Sequence, residues 1–196
     1  MSIEGQRARN RRGEGGRLRE EIVTAATALL EENGSEDAIT LRGVARQAGI
    51  AAPSIYAHFA DRDAIVDAVV ARAFAELDAA LAAAVEGVDD PGARLRALCE
   101  AYLAFAEERP QRYRVAFERR RSGPAEARAL EDLSGGQAFG RLVTAVAGAG
   151  SGDSPELDAT VLWVALHGYA VLSAGVPAFP WPARQRMLDR LLAGTS

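Results

Sequence analysis

The chain of 196 residues contains no lysine, one cysteine and two histidines. A single thiol, Cys99, excludes an internal disulfide and a cysteine-built zinc site; inside an apolar helical pattern it reads as a small buried hydrophobe. His58 and His167 lie far apart, and neither belongs to an HExxH spacing or a carboxylate–histidine cluster. Glycine-rich phosphate loops, nucleophile elbows and paired-carboxylate motifs are also missing. The sequence thus predicts no metal, no cofactor and no enzymatic activity. No run of roughly eighteen uncharged apolar residues occurs, which predicts no membrane span. The N-terminal stretch lacks the apolar segment and small-residue cleavage site of a secretory signal. The expected location is the cytoplasm, in association with the nucleoid if the chain binds DNA.

What is present supports a folded protein. Hydrophobic residues make up 48% of the chain, enough to bury a core and too many for disorder throughout. The net charge is −4, but its distribution is uneven. Every basic residue is arginine, and Arg7, Arg9, Arg11, Arg12, Arg17 and Arg19 crowd the N-terminus beside only Glu4 and Glu14. A basic arm on an acidic protein is a footprint of nucleic-acid binding; a solubilising tail has the same composition.

The apolar period is helical almost throughout, and no alternating strand pattern stands out. After an arm over residues 1–16, a first helix is predicted over 17–33, with Leu18, Ile22, Ala26 and Leu29 as its buried stripe and Gly34 as its stop. Thr40 is a good N-cap for a second helix carrying Val44 and Ala45, broken at Gly49. A third helix is predicted over 51–59, with Pro53 in its first turn, and a long fourth one after Asp61. Further helices open at Pro91, Pro110, after Pro124 (kinked or split at Gly135-Gly136) and at Pro155, and a last one holds Met187, Leu188, Leu191 and Leu192. This makes an all-α chain of about nine helices. It divides into a flexible arm (1–16), a DNA-binding domain (17–62) and an effector and dimerisation domain (63–196).

The informative stretch is residues 39–66, ITLRGVARQAGIAAPSIYAHFADRDAIV. Two short helices joined by a turn containing Gly49 match a helix-turn-helix. Apolar residues of the first helix hold the second against the body, and the N-terminal end of the second enters the major groove.

From about Leu18 to Ala73 the chain resembles the DNA-binding domain of the TetR (tetracycline repressor) family. Thr40, Val44-Ala45, the Ala48-Gly49-Ile50 turn and Tyr56, His58 and Phe59 carry the resemblance, with Arg62 where the family has a basic residue. Trp163, His167 and Gly168 resemble the subset of the family with a Trp and a His-Gly in the C-terminal domain. The resemblance implies a repressor released from a palindromic operator by a small-molecule effector. The DNA-binding residues it implies are Thr40, Arg42, Ala51, Ala52, Pro53, Ser54, Tyr56, His58 and Arg62, with Arg9, Arg11 and Arg12 of the arm. Arg62 opens a helix, where a cation is unfavourable in isolation, so an external phosphate is expected beside it. Ala51 stands in place of the usual hydroxyl cap, Gly43 lacks the acidic partner of a capping box, and Pro53 replaces a frequent glycine. Base edges are thus met by Ser54 and by apolar groups suited to thymine methyls.

In the C-terminal half, Tyr102, Phe105, Tyr113, Phe117, Trp163 and His167 are the candidate effector contacts; an ordinary helical core accounts for the same residue types. Small residues at Ala165, Gly168, Ala170, Ala174 and Gly175 suit close packing of the last two helices against a second copy, giving a homodimer. The competing reading is a helical small-molecule-binding protein or enzyme that has lost DNA binding; the arginine arm, Tyr56 and Arg62 weigh against it.

Overall fold

The computed structural model describes residues 14–118, 135–150 and 154–193. Among the described residues every regular element is a helix. They form two compact units, residues 1–69 and 70–196.

In the first unit, α1 (Glu14–Asn33) begins three residues before the expected start. It buries Ile22, Val23, Ala26, Leu29 and Leu30, the wide apolar face of an amphipathic helix. Gly34, in the left-handed conformation (φ 71°), closes it by donating its N–H to the Leu30 carbonyl at 2.8 Å. A single 3-10 turn (Glu36–Ala38) leads to α2 (Leu41–Ala48). The Thr40 hydroxyl accepts a hydrogen bond from the Gly43 N–H at 3.0 Å, and Val44 and Ala45 are buried. Gly49 then ends α2 with φ 64°, a conformation that side chains with a Cβ adopt at a cost.

The next element differs from expectation. In place of a helix over 51–59 there is a 3-10 segment, Ala52–Ala57. Ala51 supplies no side-chain cap and Pro53 has no N–H, so the segment closes through three-residue bonds, Ser54 N–H to Ala51 O and His58 N–H to Ile55 O. Ile55 and Phe59 anchor it in the core. The long α3 (Arg62–Ala84) follows, capped by an Asp61 carboxylate that accepts from the Ala64 N–H at 2.8 Å. The boundary between the units falls within α3, whose Ile65, Val66 and Val69 are buried in the first unit.

The second unit holds the rest of α3 with α4 (Pro91–Glu108), α5 (Pro110–Glu118), α6 (Gly136–Gly148), α7 (Pro155–Gly175) and α8 (Arg184–Leu192). Prolines open α4, α5 and α7 as predicted, because the first helical position has no use for an N–H. The expected opening after Pro124 and the run Arg119–Arg121 lie outside the described residues. The core joins Leu77 and Leu81 of α3 to Leu98, Tyr102 and Leu103 of α4, Val146 of α6, Leu162 and Leu166 of α7, and Leu188 of α8. Each fully buried leucine contributes about 2 kcal/mol of transfer free energy. By length and composition alone α7 is apolar enough to cross a membrane, which the absence of a long uncharged run had argued against. Ala159, Leu162, Leu166 and Tyr169 nevertheless bury one of its sides in the helical core.

Candidate functional site

The first site is the outer surface of the helix-turn-helix. Thr40, Arg42, Ala51, Pro53 and Tyr56 are exposed, Tyr56 at 61%, while Ala52, Ser54 and His58 are half-buried. An aromatic ring exposed to that degree beside a firmly anchored Ile55 is a group held out for a partner. The Thr40 hydroxyl oxygen is engaged as the α2 cap. Arg46, one turn beyond Arg42 and exposed, extends the basic edge of α2; its four-residue spacing from Arg42 was the overlooked signal. Arg9, Arg11 and Arg12 lie outside the described residues.

Arg62 has a different place from the one expected. Its Nε donates to the Ile39 carbonyl at 2.8 Å and a terminal nitrogen donates to the Glu36 carbonyl at 2.7 Å. The other terminal nitrogen meets Asp63 at 3.2 Å, and Asp37 lies at 3.8 Å. The anion that a cation at a helix start calls for is thus supplied from within, by two carbonyls and two carboxylates. Arg62 ties the turn before α2 to the start of α3, and so positions the helix-turn-helix.

The second site is a cavity of about 390 Å³ within the second unit. Phe74, Leu77 and Leu81 of α3, Leu98, Cys99 and Tyr102 of α4, and Phe117 of α5 form part of its wall. Gly135, with Phe139 and Leu142 of α6 and Thr160, Trp163 and Leu166 of α7, contributes the remainder. Gly135 is required twice over. Its φ is +100°, and an added Cβ would sit 2.6 Å from a ring carbon of Phe74. Of the expected effector residues, Tyr102, Phe117 and Trp163 line the cavity. Tyr113 and His167 support that wall from behind, with ring contacts to Phe117 at 4.8 and 5.1 Å. Phe105 is not brought to the cavity; it is buried in α4 with the Arg109 guanidinium 5.6 Å from its ring centre. The α3 residues were read from the sequence only as stripes of a connector, so Phe74 went unnoticed.

A polar chain runs through this aromatic wall. Trp163 Nε1 donates to the Tyr102 hydroxyl at 3.2 Å. The Tyr102 and Tyr113 hydroxyls are 2.8 Å apart, and Tyr113 is 2.7 Å from His167 Nδ1. Burial pushes the Tyr102 phenol up to about 12, against the lowering effect of its bonds with Tyr113 and Trp163. Burial likewise pushes the Cys99 thiol up to about 12, which makes it a poor nucleophile.

Residues 22–69 match the family described as bacterial regulatory proteins, tetR family, and residues 95–195 match the tetracyclin repressor-like C-terminal domain. The chain belongs to the TetR family. A structure of a protein of unknown function from Rhodococcus sp. RHA1 is similar at 28% identity, with a TM-score of 0.77 over 98% of this chain and 99% of that one. A TetR-like transcriptional regulator from the same organism shares the fold at 19% identity, TM-score 0.61, over 94% and 95%. So does the TetR family regulator PfmR from Thermus thermophilus, at 19% identity and TM-score 0.60 over 89% and 98%. As a TetR-family protein the chain is a DNA-binding transcriptional regulator, and the exposed helix-turn-helix surface is the part built for that task. The C-terminal match begins at Leu95 and takes in the Trp163–His167-Gly168 segment.

Proposed function

We propose that this regulator is a repressor that leaves a palindromic operator when a small molecule fills the aromatic cavity. The observation that carries the reading is the cavity itself. A well-packed core has few voids larger than a water molecule, whereas this one reaches the 300–1,000 Å³ range of ligand sites. On the DNA side, Tyr56, Arg42, Arg46 and the Thr40 region meet phosphates, and Ala51, Ala52, Pro53 and Ser54 meet base edges. His58 supports Tyr56 from the end of the 3-10 segment, and the arm arginines Arg9, Arg11 and Arg12 add salt-sensitive affinity.

The working form is a homodimer joined through α7 and α8, in the cytoplasm. Leu157, Val161, Val164 and Leu172 are exposed at 61, 62, 60 and 51% at helical spacing along α7. An apolar stripe of this kind suits a second copy, and a two-fold dimer matches two operator half-sites.

The experiment is a gel-shift titration of the full chain on the DNA upstream of its own gene, at two salt concentrations. Retardation should weaken with salt, and Tyr56→Phe should lower affinity for all sequences alike while reducing the log–log salt slope by about one unit or less. Failure to retard this DNA or any member of a random-sequence pool would overturn the reading.

A further inference from the structure

The cavity wall is chemically uneven in a way that specifies its ligand. Among the described lining residues the only charged side chain is Glu156, exposed in the first turn of α7. No described arginine lines the cavity, so nothing there compensates a buried anion. The polar feature deep in the wall is the Tyr102 hydroxyl with its donor Trp163 and its partners Tyr113 and His167.

Counting protons along this chain gives two arrangements. Trp163 Nε1–H only donates, so the Tyr102 oxygen accepts from it in both. In the first arrangement Tyr102 donates to Tyr113, and Tyr113 donates to His167 Nδ1, whose proton then sits on Nε2. The 2.7 Å Tyr113–His167 distance, against 3.4 Å for Tyr102–His167, fits this order. Every hydroxyl proton in it is used, which suits an empty apolar cavity. In the second, His167 Nδ1–H donates to Tyr113 and Tyr113 donates to Tyr102. Both Tyr102 lone pairs are then occupied, and its proton is released toward the cavity. One proton leaves Nε2 and one joins Nδ1 by exchange with water, so the imidazole stays neutral. The second arrangement keeps the three internal bonds and adds a fourth once a ligand acceptor is present.

We infer that the cavity selects a neutral, apolar ligand bearing one hydrogen-bond-accepting oxygen, a ketone or ester carbonyl, and that the Tyr102 hydroxyl is the group that selects it, with His167 recording the event as a change of tautomer. This inference rests on the cavity being the effector site. Tyr113 and His167 are positioning residues in this scheme, because they act on the ligand only through Tyr102.

The test uses the full-length protein and three matched probes: acetylnaphthalene, the isosteric hydrocarbon isopropenylnaphthalene, and naphthoate. Affinities are read by calorimetry for the wild type and Tyr102→Phe, and the His167 tautomer by nitrogen-15 NMR, with His58 of the other unit as internal reference. In Tyr102→Phe the ketone-over-hydrocarbon affinity ratio should fall about two- to tenfold, the worth of one net hydrogen bond. Wild-type His167 should move from the Nε2–H to the Nδ1–H form with the ketone and stay put with the hydrocarbon. Naphthoate should bind more weakly than either. If Tyr102→Phe does not fold, the wild-type tautomer comparison decides alone. Ketone and hydrocarbon binding with a ratio that Tyr102→Phe leaves unchanged, the same His167 form with both, or tighter binding of naphthoate would each overturn the inference while leaving the cavity as a ligand site. Absence of binding by all three would overturn the cavity reading along with it.

Discussion

Replacing Arg62 separates two roles that the sequence makes hard to tell apart. Its guanidinium gives charge-assisted hydrogen bonds to the Ile39 and Glu36 carbonyls at 2.8 and 2.7 Å. A hydrogen bond involving a charged group is worth about 1.5–3 kcal/mol, and the Arg62 side chain is 33% exposed, which argues for the lower half of that range. Two such bonds give about 3 kcal/mol lost in Arg62→Ala, since the Asp63 and Asp37 pairs are exposed and add little. In a unit of this size that corresponds to a drop in Tm on the order of 10 °C, if the unit melts on its own. Arg62→Lys is the informative companion. It keeps the charge but lacks the planar fork that reaches two carbonyls at once, so it should lose most of the same stability. A phosphate-contacting role gives the opposite pattern, with Lys largely restoring DNA affinity and Ala leaving the melting curve in place. The assays are thermal denaturation followed by circular dichroism, and a DNA shift titration held well below the melting range. A wild-type melting curve for Arg62→Ala would refute the bracing role.

Three further outcomes follow from the same geometry. Gly49→Ala should cost about 1–2 kcal/mol, because the residue at φ 64° acquires a Cβ penalty although the space around it is open; an unchanged denaturant midpoint would contradict this. Cys99→Val should flatten the alkaline limb of the stability profile. The unfolded thiol ionises near its ordinary 9.0 and the folded one near 12, so stability is intact below about pH 9 and falls toward pH 12 by roughly 1.4 kcal/mol per unit, with Tyr102 adding a like loss above about pH 10. Identical slopes for wild type and variant between pH 9 and 10 would refute it. Val161→Glu, on the exposed stripe of α7, should leave the fold intact and convert dimer to monomer by placing like charges across a two-fold axis; a variant that sediments as a dimer would remove α7 from the interface.

The helices were legible because their ends are written in residues with few conformational choices. Pro91, Pro110 and Pro155 each occupy the first position of a helix, and Gly34 and Gly49 sit in left-handed stops. Thr40 and Asp90 were also sound markers, since their short side chains cap α2 and α4 at 3.0 and 2.7 Å. The apolar period failed only where the element was too short to have one. Residues 51–59 contain two inward-facing anchors, Ile55 and Phe59, a spacing that an α-helix and a 3-10 segment with a following turn satisfy equally well. What decides between them is the missing N–H of Pro53 and the missing cap at Ala51. Those two features were visible in the sequence, but they were read there for their bearing on DNA contacts rather than on helix length.

The effector side was legible in residue type and not in arrangement. Tyr102, Tyr113, Phe117, Trp163 and His167 come from three helices, and nothing in their spacing orders them into a lining layer and a supporting layer. That order is set by the helix facings. Tyr102 and Phe105 are three apart on α4, yet Tyr102 lines the cavity and Phe105 packs elsewhere in the core, a rotation of about 60° around the helix axis. The same geometry brings Phe74 into play. An apolar residue on the helix shared by both units satisfies the pattern of a buried connector wherever its side chain ends up. Only the close approach of Gly135, whose missing Cβ admits the Phe74 ring, makes it a wall of the cavity. A glycine pair that reads as a helix kink in the sequence is, at Gly135, the point where backbone is thinned to fit an aromatic ring. Any side chain there would have to displace Phe74 from the cavity wall.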